Sequence, residues 1–127
     1  MRDAIRKLPR FADFGRVEAP ALCAIPGVLD DISIEGCKVH FPVEVVVDPD
    51  ADYEIKVRPS RRVSEVPFML ICHPQWNRIE DGTTHIGFKV LRSPDTWRLT
   101  QYIEQLYRES SEEEVENQIK DPVCQIL

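Results

Sequence analysis

Between about Arg16 and Val90 the chain reads as short apolar stretches bounded by Pro, Gly and Asp, with little helical periodicity and, in several, apolar residues at every second position, the period of a half-buried strand. The clearest case is 52–58, where Tyr53, Ile55 and Val57 alternate with charged residues. Cys37, Val39 and Phe41 alternate with Lys38 and His40 in the same way. Phe68 to Cys72 is a continuous apolar run of strand length, and Thr83 to Val90 places Ile86, Phe88 and Val90 on one side. Glu80-Asp81-Gly82 between them is a hairpin turn signal. Val17 to Ala24 and Gly27 to Ser33 supply two further strands, with Pro26-Gly27 read as the turn between them. Asp48-Pro49-Asp50 ends the Val43 to Val47 run.

The period changes at Ser93, which can cap a helix, followed by Pro94 at the favoured first position and Asp95 complementing the helix dipole. Leu99, Tyr102, Ile103 and Leu106 then recur at i, i+3, i+4 and i+7, the stripe of one amphipathic helix lying on the sheet. Ser111, with Glu114 three residues on, signals a short acidic helix ending by Pro122. Many short strands followed by a terminal helix predict a mainly β fold, a small antiparallel barrel whose closure removes the sheet edges and whose helix covers one opening.

A chain of 127 residues, 43% hydrophobic, buries one core and is too short for two ordinary domains. The reading is an arginine-bearing arm over 1–12, a barrel with its helix over 13–108, and an acidic tail over 109–127. The net charge of -6 argues against DNA or RNA as a partner, since backbone binding needs many basic residues. A phosphate ligand would need a local basic patch. Residues 1–16 provide one, with Arg2, Arg6, Lys7, Arg10 and Arg16 against Asp3 and Asp13. The run from Glu109 to Asp121 is acidic and reads as a solvated helix face.

Cys23, Cys37, Cys72 and Cys124 are widely spaced, without a Cys-x-x-Cys pair or a secretory h-region, so reduced thiols and a cytoplasmic location are expected. No apolar run approaches the ~18 residues of a membrane span. The last four residues fit the loose prenylation pattern but lack an upstream polybasic stretch. Catalysis is not expected. His40, His73 and His85 are scattered, and Cys72 and His73 would face opposite sides of a strand, with His73 preceding Pro74 in a turn. No metal and no cofactor are expected: a zinc site built from distant Cys and His stays open, but the paired spacing that marks one is absent.

The informative stretch is Asp31-Ile32-Ser33-Ile34-Glu35-Gly36. At a strand end, Asp31 and Ser33 would project from one face while Ile32 and Ile34 enter the core, and Gly36 would supply the backbone freedom for the chain to turn. Read alone, this is an ordinary polar strand end. Arg6 and Arg10 form an Arg-x-x-x-Arg pair, a spacing also present at Arg2–Arg6 and Arg58–Arg62. Pro9 keeps Leu8 out of helical angles, so the arginine segment is a loop or an extended arm. Order and separation raise the value of both motifs, because twenty residues and one predicted strand lie between Arg10 and Asp31.

Together these residues resemble the PilZ family of bacterial cyclic di-GMP receptors, whose signature is Arg-x-x-x-Arg, some twenty to thirty residues, then Asp or Asn-x-Ser-x-x-Gly. The resemblance covers about residues 5–107, with Ile86-Gly87-Phe88 similar to the last barrel strand and 93–106 to the helix after it. It implies a six-stranded antiparallel barrel with a C-terminal helix, cyclic di-GMP as ligand, and a downstream protein partner. By position, Arg6 and Arg10 would be the ligand-binding arginines, and Asp31, Ser33 and Gly36 the turn. Arg2 with Arg6 is a second register of the pair. An arginine fork suits a phosphate or the guanine O6/N7 edge and can stack on a base. Asp31 can accept from guanine N–H groups or orient an arginine, and Ser33 can bond a phosphate or a base edge. Trp76 reads equally as a base-stacking platform or as a half-buried tryptophan at a strand end. The competing reading is an adaptor of the same fold that binds proteins and no nucleotide.

Overall fold

In the computed structural model, residues 10–60 and 66–110 are described. Seven strands form one sheet: β1 Phe11–Ala12, β2 Arg16–Ala19, β3 Cys23–Ile32, β4 Gly36–Phe41, β5 Tyr53–Arg58, β6 Phe68–Glu80 and β7 Thr83–Val90. All pairings are antiparallel, in the order β3-β2-β5-β6-β7-β4, and β4 returns to β3, so six strands close a barrel. The extra strand β1 lies along the end of β3, with Phe11 opposite Ile32 and Ala12 opposite Asp31. The helix α1 covers 96–110. The sequence expectation of a six-stranded barrel followed by one helix holds.

Alternation decides which side chains enter the barrel. In β5, Tyr53, Ile55 and Val57 are buried and Glu54 and Lys56 exposed. Cys37, Val39 and Phe41 from β4 and Ile86 and Phe88 from β7 join the same core. Leu99, Tyr102, Ile103 and Leu106 of α1 belong to it too, so the helix stripe closes the core on the side where β6 begins. There Phe68 meets Tyr102 edge-on at 5.7 Å between ring centroids, and Arg98 lies over the other residue of that pair, Phe68.

The β6–β7 turn is where the sequence placed it, with Asp81 at φ 52° and Gly82 at φ 78°, the two left-handed positions a tight hairpin needs. Two other punctuation signals misled. Pro26-Gly27 is not a turn but lies inside β3, and the chain reverses at 20–22. Pro26 is tolerated there because the β2–β3 register is irregular between Val17 and Ala19, and the β4 pairing starts only at Val28. His73-Pro74 likewise lies within β6 rather than in a turn, next to a bulge between Pro74 and Trp76. β5 pairs β6 only as far as Cys72, so from His73 onward β6 keeps β7 as its one strand neighbour among the described residues, while β7 stays paired with β4 as far as Thr84. The Val43 to Val47 run forms no strand. It is pinned by buried Thr84, whose hydroxyl accepts from Val45 N at 2.9 Å and donates to Val43 O at 2.8 Å.

Ser93 does not cap the helix with its side chain as expected. Its Oγ accepts from Ile71 N at 2.8 Å and donates to Leu91 O at 2.6 Å. Asp95 opens the helix ladder, its carbonyl accepting from Leu99 N at 3.0 Å, while its carboxylate takes Met69 N at 2.7 Å. Both side chains therefore satisfy the open edge of β6. Of the arm expected over 1–12 and the tail over 109–127, residues 1–9 and 111–127 lie outside the described residues, among them Arg2, Arg6 and the acidic helix from Ser111.

Candidate functional site

β1 delivers Arg10 to the end of β3, where its guanidinium forms an ion pair with the Asp31 carboxylate. The pair is open to solvent, with the Arg10 side chain 50% and Asp31 26% exposed. A bulge in β3 between Leu29 and Asp31 shifts the alternation by one residue. Asp30 and Asp31 are consequently both half-exposed, while Leu29 and Ile32 on either side are buried.

The expectation that Asp31 and Ser33 face one spot is not met. β3 ends at Ile32, and Ser33 is 3% exposed. The Ser33 hydroxyl donates to Gly36 O at 3.2 Å and accepts from Gly36 N at 3.1 Å, and Ser33 N donates to Gly36 O at 2.8 Å. Ser33 thus ties off the β3–β4 turn. Gly36 is required for space rather than for an unusual φ: a Cβ there would stand 2.7 Å from Phe88 O and 3.4 Å from an Arg10 guanidinium nitrogen. The clash that excludes a side chain is with the Phe88 carbonyl, while the Arg10 guanidinium lies over the turn at ordinary contact distance and reaches Asp31.

Register extends this corner across the barrel wall. Asp31 is opposite Lys38 on β4, Lys38 is opposite Gly87 on β7, and Gly87 is opposite Trp76 on β6. Cys37, Val39, Ile86 and Phe88 point inward, so Lys38 and the Gly87 position face outward. The Trp76 indole lies across Gly87, where any Cβ would collide with it. Lys38 Nζ is 6.0 Å and the Arg78 guanidinium 5.6 Å from the indole centroid, both within cation–π range. Trp76 remains 42% exposed, in mid-strand rather than at a strand end. Sequence reasoning missed Lys38 and Arg78. The signal for Lys38 was present in the β4 alternation, but only the register shows which strands flank it.

The outer face therefore carries, in one row, an exposed arginine–carboxylate pair, a lysine and a partly exposed indole. Cations and a flat aromatic surface along one row suit a ligand with both phosphates and bases. Arg6, the first arginine of the expected pair, lies outside the described residues.

No family model matches the chain, and neither does any curated protein. Solved structures do. The Bacillus subtilis inhibitor of motility MotI (DgrA) superposes with a TM-score of 0.63 at 12% identity, over 82% of this chain and 51% of that one. YcgR from Escherichia coli in complex with c-di-GMP gives a TM-score of 0.62 at 18% identity, over 87% of this chain and 50% of that one. The isolated PilZ domain of the same YcgR with c-di-GMP gives 0.59 at 18% identity, over 85% and 95%. The chain thus has a PilZ-type fold, and it spans about half the length of the first two proteins and nearly all of the single domain.

Proposed function

We propose that this chain is a cyclic di-GMP receptor domain that binds the dinucleotide on the outer face at the Arg10–Asp31 corner. The observation that carries the reading is the solvent-open guanidinium of Arg10, held by Asp31 over the Gly36 turn, in the fold that holds c-di-GMP in Escherichia coli YcgR. Arg10 and Arg6 would clamp phosphates and guanine edges, Asp31 would accept from guanine N–H groups while orienting Arg10, and Ser33 and Gly36 would shape the turn beneath. Trp76 and Lys38 extend the surface for a base and a phosphate. The segment before β1 acts as an arm that closes over the ligand and presents a changed surface to a downstream protein partner. The activity is binding rather than catalysis, in a bacterial cytoplasm, with motility, polysaccharide export or virulence as output.

Calorimetric titration with cyclic di-GMP tests this, with cyclic di-AMP as competitor. Saturable binding that Arg6→Ala, Arg10→Ala and Asp31→Ala each weaken by about tenfold or more is expected, the size of one lost charge-assisted contact. A second reading, a nucleotide-free adaptor, is favoured by the internal satisfaction of Ser33 and by the 61% exposed Trp97 on α1. Absence of heat and of any thermal shift with ligand would select it.

A further inference from the structure

Two residues along from Lys38 and Gly87, the same β4–β7 pairing sets His40 opposite His85. The β3 bulge turns Asp30 toward them, so three strands deliver two imidazoles and a carboxylate to one place. One ligand atom from each of Asp30, His40 and His85 lies within 4.8 Å of the others. The side chains are 24%, 31% and 21% exposed, a recess rather than an open surface. His40 Nδ1 is 2.9 and 3.0 Å from the two Asp30 oxygens, and the imidazole rings are tilted by 39° with centroids 5.6 Å apart.

One atom in this arrangement is left over. His85 Nδ1 is buried and has no hydrogen-bond partner among the described residues. Buried polar atoms of native proteins are nearly always paired, so such an atom calls for an explanation. The other ring nitrogen, Nε2, is 3.8 Å from Glu80 Oε1. At that distance Glu80 makes no hydrogen bond with the ring, and the unpartnered Nδ1 can serve as a metal ligand in the tautomer that carries its proton on Nε2.

We propose that Asp30, His40 and His85 form a binding site for a divalent transition-metal ion of the zinc type. Two imidazoles and one carboxylate suit zinc and its neighbours in the first row, and do not suit magnesium or calcium, which prefer all-oxygen sets. Ligand atoms around a tetrahedral zinc stand roughly 3.4 Å apart, so small side-chain rotations would draw this set together, with solvent completing the coordination. Asp30 would exchange its contact with His40 Nδ1 for the ion. The site is distinct from the Arg10–Asp31 corner and does not depend on nucleotide binding.

The test uses the full chain carrying Cys23→Ser and Cys124→Ser, stripped of metal and without nucleotide. It is titrated with Zn2+ by calorimetry and with Co2+ by absorption. One equivalent is expected, with tetrahedral cobalt bands, weakened about tenfold or more by His85→Asn and by the near-isosteric Asp30→Asn. His73→Asn, whose ring pairs with Asp52 elsewhere on the surface, leaves the affinity unchanged. Circular dichroism confirms folding of each variant, and Asp30→Asn decides the matter if His85→Asn does not fold. No saturable binding below roughly 100 μM, equal affinity in Asp30→Asn and the parent, or a thiolate charge-transfer band would overturn the proposal.

Discussion

Asp13 follows the short pairing of β1 with β3 and Asp31 belongs to it, yet the chain treats the two carboxylates in opposite ways. Asp13 is 3% exposed, and among the described residues its carboxylate is held by donors of the chain itself. Its Oδ1 accepts from Gly15 N at 2.8 Å and Ser60 N at 2.9 Å, and its Oδ2 from the Tyr102 hydroxyl at 2.7 Å. It thereby ties the turn into β2, the exit of β5 and the helix to one another. Among the described residues, the Asp31 side chain holds the exposed Arg10 guanidinium alone. A carboxylate whose lone pairs are filled by the chain's own donors is a structural device, whereas one left with an exposed arginine keeps acceptor capacity for a ligand.

The largest effect is therefore expected at Asp13 and on stability. Asp13→Ala strands the Gly15 and Ser60 amides and removes an acceptor from the Tyr102 hydroxyl, and each buried donor left without a partner costs about 1–3 kcal/mol. A loss of about 3–5 kcal/mol in denaturant unfolding is expected, a large share of the ~5–15 kcal/mol that holds a domain together. Asp13→Asn keeps an acceptor for the amides and should lose about half as much. A change below ~1 kcal/mol in Asp13→Ala would break the comparison, by showing that water replaces the carboxylate.

At the corner the expectation is reversed. Exposed ion pairs contribute ~0–1 kcal/mol, so Arg10→Lys should leave the unfolding midpoint nearly unchanged. Lysine keeps the charge but not the planar fork, so binding of cyclic di-GMP should still fall by about tenfold. Full affinity in Arg10→Lys would mean that only charge is read there, and would move the recognition of guanine elsewhere on the face.

The same contrast explains what was legible in the sequence. Strands β4, β5 and β7 and the helix stripe follow from periodicity, because burial on one face imposes it. Pro26 and His73-Pro74 were misread as breakers because proline stops a strand only where its missing N–H is needed, and both lie beside register irregularities that sequence does not display. Arg10, Asp31 and Gly36 were legible through spacing, since β1 pairs with the end of β3. The Asp31–Lys38–Gly87–Trp76 row and the Asp30–His40–His85 cluster were not, because each depends on the β3 bulge and on cross-strand register. Histidines at 40 and 85 look scattered along the chain and are direct neighbours across β4 and β7.

The smallest effect sharpens the comparison most. Sequence position puts Ser33 among the ligand-binding residues, whereas its geometry allies it with Asp13, because both its donor and an acceptor lone pair are spent on Gly36. If geometry governs, Ser33→Ala leaves the buried Gly36 N–H unpaired and lowers stability by about 1 kcal/mol. Affinity should then fall less than in Asp31→Ala, and only through a loosened turn, which Ser33→Thr would restore by returning the hydroxyl. The measurement is a paired unfolding curve and nucleotide titration for each variant. A loss of affinity equal to that of Asp31→Ala, with no loss of stability, would show that the hydroxyl leaves Gly36 to meet the ligand, and the turn would then be part of the site rather than its support.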